Sequence, residues 1–171
     1  MMQSTAFWIL GPWPGQLAIV LRPRGGDWLD DETRAWREAS IDAVVSLLEP
    51  SEEAEFDLSG EATSVAASGL EFHSFPIPDR GIPNSREDVS DLVTHLAAAL
   101  QAGKNVAVHC RQSVGRSALI AAATLVAAGE DSETALINVA RARGLPVPET
   151  EVQRRWISEF ASWIKHLDAD V

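Results

Sequence analysis

Cys110 is the only cysteine of the 171-residue chain, and Arg116 follows it by six positions within Val-Ala-Val-His-Cys-Arg-Gln-Ser-Val-Gly-Arg-Ser, residues 106–117. Val106 to Val108 read as a buried strand and the alanine-rich run from Ala118 to Ala128 as a helix, so Cys110 to Arg116 form the turn between them. Amides in such a turn converge on the helix N-terminus, where unsatisfied N–H groups and the positive end of the helix dipole favour a phosphate dianion. Arg116 adds a planar fork for two phosphate oxygens. The same field favours a thiolate on Cys110. A nucleophile and a binding site for its electrophile thereby coincide. The competing reading makes Cys110 a buried structural thiol, since free cysteine is among the most buried residue types, and Arg116 a charge on a helix surface.

The pattern His-Cys-(five residues)-Arg-Ser resembles the signature of the cysteine-dependent protein phosphatases, and more closely that of the small dual-specificity phosphatases of bacterial type. The resemblance implies that Cys110 attacks phosphorus, that the backbone from Arg111 through Gln112, Ser113, Val114 and Gly115 to Arg116 binds the phosphoryl oxygens, and that Arg116 clamps substrate and transition state. It further implies that the Ser117 hydroxyl helps the thiolate leave and that His109 orders the loop and keeps the cysteine ionised. At the third intervening position the family usually has glycine, whereas this chain has Ser113, which is costly if φ there is positive. Rhodanese-like sulfurtransferases also hold a cysteine in a short anion-binding loop, and a pseudophosphatase that binds phosphorylated partners is the non-enzymatic alternative.

A second stretch, Phe75-Pro76-Ile77-Pro78-Asp79-Arg80-Gly81-Ile82-Pro83, resembles the family's general-acid loop. Its prolines stiffen the backbone while Gly81 leaves one point of freedom. Asp79 would protonate the departing oxygen and then act as base on the hydrolytic water. Pro-Asp-x-Gly is equally ordinary turn chemistry. The loop precedes Cys110 by 31 residues, separated from it by one helix and one strand, the order the family uses. Glu49, at the end of a core strand, is the next candidate acid. Near the last helix Gln153 matches a family glutamine that positions water, but Thr150-x-x-Gln153 is also a capping-box pattern. Both roles stay open.

Hydrophobic residues make up 46% of the chain and charged residues 23%, near globular averages, which excludes wholesale disorder. The net charge of −11 is uneven: Asp27 to Glu61 holds 12 acidic and 2 basic residues, against 13 and 12 elsewhere. Such a segment repels nucleic acid and anionic membrane, and reads as a solvated helix face plus loop, with a docking surface for a basic partner as the minority view. A lone cysteine excludes an internal disulfide and fits a reducing, cytoplasmic setting. His73, His95, His109 and His166 show no metal-ligand spacing, so no metal and no cofactor are expected. Phe7 to Leu10 is stopped by Gly11-Pro12-Trp13-Pro14-Gly15, which is not signal-peptide anatomy, and no run reaches membrane-spanning length.

The elements that must carry these residues follow from periodicity. Ala6 to Leu10 and Leu17 to Leu21 read as a hairpin, Leu29 to Ala39 as a helix, and Ala43 to Leu47 as a strand of the buried parallel kind. Ser51 to Ser68 holds at least one helix, and Glu71 to Phe75 alternates as a short strand. Asn84 with Glu87 suggests a capping box for a helix to about Ala102. Helices over Arg116 to Ala128, Ser132 to Arg143 and Thr150 to His166 follow, the last with Trp156, Phe160, Trp163 and Ile164 as a core stripe. The expectation is an α/β fold of the protein tyrosine phosphatase type, with a mostly parallel central sheet flanked by helices and residues 1–171 as one catalytic domain. A phosphorylated protein or peptide is the expected partner.

Overall fold

The chain folds around a five-stranded mixed sheet, described for residues 5–169 by a computed structural model. In chain order the elements are β1 (Ala6–Ile9), β2 (Leu17–Val20), a 3-10 turn at Gly26–Trp28, α1 (Leu29–Glu38), β3 (Ala43–Ser46), α2 (Pro50–Glu55), α3 (Glu61–Ala67), β4 (Glu71–Ser74), α4 (Arg86–Gln101), β5 (Val106–His109), α5 (Arg116–Ala127), α6 (Ser132–Arg143) and α7 (Glu151–Ala169). The strand order is β1-β2-β5-β3-β4, with β1 antiparallel to β2 and every other pair parallel. β2, β3 and β5 are buried along their whole length, which is why they are continuous apolar runs rather than alternating ones.

Side-chain alternation sends the two faces of the sheet to two cores. Leu17, Ile19, Val45, Val106, Val108 and Cys110 face one core, which is built with α4, α5, α6 and α7. Val20, Val44, Phe72 and Ala107 face the other, closed by Trp36 of α1 and Val65 of α3. α5 is buried from Arg116 to Val126, so an alanine-rich helix that is apolar all round lies in the middle of the larger core. Trp156 and Phe160 of α7 stack at 4.9 Å between ring centroids beside it.

Parallel pairing puts Ile19 and Val45 level with Val108, and Ser46 level with both His109 and Ser74. The loops leaving β2, β3, β4 and β5 therefore emerge along one edge, at the carboxyl ends of the strands, where ligand sites of such sheets form. Elements expected from periodicity match those observed to within a few residues. The acidic segment forms two helices, α2 and α3, and α4 is capped by Ser85, whose Oγ accepts from the Asp88 amide at 3.1 Å, rather than by Asn84. The difference is one residue: the serine has the extended backbone an N-cap needs.

Candidate active site

The β5–α5 loop is a ring of unengaged backbone donors. None of the N–H groups from Arg111 to Gly115 meets an acceptor among the described residues, and α5 starts at Gly115 without a side-chain cap. Ser113 carries the turn at φ 57°, the left-handed region where a side chain is costly. Its hydroxyl offsets that cost by donating to the Val20 carbonyl at 2.6 Å, while Arg143 Nε donates to the Ser113 carbonyl at 2.9 Å. Two elements, β2 and α6, thus hold the loop from outside. At Gly115 the constraint is crowding rather than φ. A Cβ there would stand 3.0 Å from Gln153 Nε2 and 3.1 Å from both Gln153 Oε1 and Glu149 Oε2.

Cys110 lies at the base of this loop, 2% exposed, with Sγ 3.4 Å from Ser117 Oγ. Arg116 is 1% exposed and its guanidinium is held on two sides. Nη1 donates to Glu52 Oε1 at 2.7 Å and to the Ile77 carbonyl at 2.8 Å; Nη2 donates to Glu52 Oε2 at 2.9 Å and to Asp79 Oδ1 at 3.1 Å. Burial pushes the Glu52 carboxyl up, but the hydrogen bonds from Arg116 and from the Glu49 amide, with the arginine's charge, hold it below the usual carboxylate range. Burial likewise opposes the charge on Arg116, and Glu52, with Cys110 and Asp79, more than restores it.

Asp79 therefore sits over the loop that holds Cys110. Its segment is fixed by Ile77, whose amide donates to the Leu47 carbonyl at 3.1 Å, and by two contacts from the approach to α7. Arg80 Nη1 donates to Glu149 Oε1 at 2.8 Å, and Gln153 Nε2 donates to the Gly81 carbonyl at 3.1 Å. Gln153 is fully buried and also caps α7: its Oε1 accepts from the Glu149 and Thr150 amides, and its own amide donates to Thr150 Oγ1, all at 3.1 Å. The capping box is thus present, and the same side chain touches both the loop of residues 75–83 and Gly115. Glu49 is the N-cap of α2, and its amide donates to Glu52 Oε1 at 3.0 Å.

His109 points to the opposite face of β5. It is fully buried, with Nε2 on Glu61 Oε1 at 2.5 Å and its ring stacked near Trp36 at 6.0 Å. At the rim Arg22 and Arg111 flank Phe56, with guanidinium carbons 3.6 and 4.9 Å from the ring centroid. Arg22 Nη1 donates to the Arg111 carbonyl at 2.9 Å, and Arg111 makes two bonds to Glu55. Burial and the neighbouring Arg111 lower the pKa of Arg22.

Sequence reasoning missed Glu52, Glu61, Glu149, Arg22 and Arg143. It read Glu52 and Glu61 as part of a solvated acidic face, whereas both are buried as partners of Arg116 and His109. The available signal was chemical: a loop arginine and a strand histidine that are to be buried each need a partner, and the nearest unassigned carboxylates lay in that segment.

A lone cysteine in a strand-to-helix loop, a buried arginine and an overhanging proline-rich segment on this sheet match a phosphatase domain of the dual-specificity and tyrosine phosphatase type. A protein-family model described as "Tc-R-P: Polymorphic toxin system, DSP-PTPase phosphatase" matches residues 20–130, and the chain belongs to that family. The fold is shared by kinase associated phosphatase with a serine substituted for its catalytic-site cysteine, at TM-score 0.87 and 18% identity over 96% of this chain and 98% of that one. Tk-PTP in its active form is 28% identical, TM-score 0.75, over 94% of this chain and 99% of its own. PTPMT1 in complex with PI(5)P is 19% identical, TM-score 0.72, over 88% and 94%. Among curated proteins none matches the chain. No helix among the described residues is long and apolar enough to cross a membrane.

Proposed function

We propose that this chain is a phosphomonoesterase that works without a metal through a phosphocysteine intermediate, with phosphotyrosine, phosphoserine or phosphothreonine of proteins as substrate. The observation that carries the reading is the set of five unengaged amides around Cys110, closed on one side by the buried Arg116. They suit three equatorial phosphoryl oxygens in line with a sulfur nucleophile.

Of the five N–H groups of Arg116, four serve Glu52, Ile77 and Asp79, while Nε–H has no partner among the described residues. A planar, bidentate grip on phosphate through Nε and Nη2 takes the bond now made to Asp79. Substrate binding therefore releases the Asp79 carboxyl toward the leaving oxygen. Cys110 Sγ then forms a bond to phosphorus as the phosphorus–oxygen bond breaks and Asp79 gives its proton to that oxygen. Water next attacks the phosphocysteine, giving its proton to the Asp79 carboxylate, and the sulfur leaves as a thiolate that accepts from the Ser117 hydroxyl. Gln153, beside Gly115 and the acid loop, would orient that water through its second Nε2 hydrogen while capping α7. His109, locked on Glu61, acts through the strand and not on the substrate.

The test is a panel of phosphopeptides, phosphoinositides and an aryl phosphate, with wild type and Cys110→Ser. Turnover by the wild type, trapping of a phosphoenzyme, and phosphate binding without turnover by the serine variant are expected. Hydrolysis by the pure serine variant would overturn the mechanism. Transfer of sulfur from thiosulfate to cyanide would replace it by the rhodanese-like activity, and binding of phosphopeptides without any turnover by the wild type would leave a pseudophosphatase.

A further inference from the structure

The fold brings together Glu71, His73 and His95, which no site described above uses. Glu71 and His73 are two apart on the edge strand β4 and so share one face, the face covered by α4, which carries His95. Glu71 Oε1 lies 3.3 Å from His73 Nε2 and 3.4 Å from His95 Nε2, and the candidate ligand atoms all fall within 4.8 Å of one another. The two imidazoles meet edge to face at 4.9 Å between centroids.

As hydrogen bonding the arrangement is poor. Strong N–H···O bonds have heavy atoms about 2.9–3.0 Å apart, and His73 Nε2 is hidden from solvent without a hydrogen-bond partner. As coordination it is apt. Zinc bonds of about 2.0–2.1 Å to nitrogen and oxygen set the edges of a tetrahedron near 3.3 Å, close to the two separations from Glu71, while the two imidazole nitrogens, within 4.8 Å of each other, close the third edge on binding. Two imidazoles and one carboxylate are a zinc donor set that leaves a fourth position, and Glu71 and His95 are exposed enough for water to fill it and for the ion to enter.

We propose that Glu71, His73 and His95 bind a zinc ion that staples β4 to α4. These elements bracket residues 75–85, the segment that carries Asp79, so the staple fixes both ends of the acid loop from outside. The zinc contributes no chemistry at Cys110, which lies in the loop after β5. Spacing in the sequence hides the site because 21 residues, a loop among them, separate His73 from His95.

The other zinc-avid group is the Cys110 sulfur, so the measurement is made on metal-stripped Cys110→Ser protein, where the outcome does not depend on the phosphatase reading. Zinc is titrated against a chromogenic chelator, and cobalt is added separately for its visible bands. Expected are one equivalent of zinc, tetrahedral cobalt absorption, and a melting temperature raised by about 5–10 °C at a hundredfold excess over Kd. His95→Ala, a change at an exposed side chain, should weaken zinc binding at least about tenfold and abolish the melting shift, and Glu71→Gln should do the same. His166→Ala, on the distant α7, should change neither. Zinc binding that survives His95→Ala, or that vanishes on His166→Ala, overturns the proposal, as does the absence of any stoichiometric site in the Cys110→Ser protein.

Discussion

Arg116 is asked to be a substrate ligand while fully buried, and a buried guanidinium exists only with a partner for its charge. Glu52 is that partner, and the pair is bidentate and out of solvent. Removing one member of such a pair typically costs about 3–5 kcal/mol, so Glu52→Gln, which keeps the shape and loses the charge, should destabilise by about 3 kcal/mol at neutral pH. The pH dependence has a definite sign. Because the folded state holds the Glu52 carboxyl below its ordinary range, its stabilisation is complete above that range and is lost as pH falls through the depressed value. Denaturant unfolding of the two proteins should therefore differ at pH 7 and converge in acid; a constant gap would mean that geometry, not charge, carries the interaction. Arg116→Lys keeps the charge and loses the fork, and should depress both phosphate affinity and turnover. Wild-type-like kinetics for the lysine variant would remove Arg116 from the site. For Asp79 the discriminating measurement is leaving-group dependence. Asp79→Asn should slow a serine phosphate by about 10²–10⁴-fold and an activated aryl phosphate far less. Equal slowing across leaving groups would make Asp79 a tether for Arg116 rather than an acid.

The β5–α5 loop shows how elements share the cost of an unfavourable local conformation. Ser113 takes a left-handed turn that glycine would take freely, and its hydroxyl is bonded to β2 in exchange. Ser113→Ala keeps the strain and leaves the Val20 carbonyl without that donor, whereas Ser113→Gly loses the donor but relieves the strain. Alanine should be the less stable of the two by about 1 kcal/mol, read by urea unfolding. A glycine variant less stable than the alanine one would show that Ser113 is unstrained. The steric question at Ser113 was visible in the sequence because it depends on one residue and one backbone angle, and the same holds for the strand ends, the helix periods and the Thr150–Gln153 cap. What stayed hidden depends on two elements meeting. Glu52 and Glu61 look like any other members of an acidic run until α2 and α3 pack beside the carboxyl end of β5. Gln153 looks like a cap until the loop that carries Gly81 comes to rest on it. Glu71, His73 and His95 have no recognisable spacing until β4 lies beside α4.

Across the whole molecule the charges are sorted by depth. Two of the 12 carboxylates in the acidic segment are buried as partners of Arg116 and His109; the others add to a net charge of −11 that surrounds a local positive rim of Arg22 and Arg111, with Arg116 buried beneath it. A phosphorylated substrate is thus repelled at a distance and attracted at contact, and ionic strength separates the two ranges. Raising salt from about 0.01 M to about 0.15 M shortens the screening length from about 30 Å to about 8 Å, which removes the long-range field while leaving the buried contacts nearly intact. For a phosphopeptide flanked by acidic residues kcat/KM should therefore rise with salt over this range, and for one flanked by lysines it should fall, because steering by net charge acts on encounter. Kcat should change little for either, since Arg116 and the loop amides act after desolvation. If both peptides instead lose kcat/KM in parallel as salt rises, the positive rim governs encounter from long range, and the acidic segment is too far from the path of approach to matter.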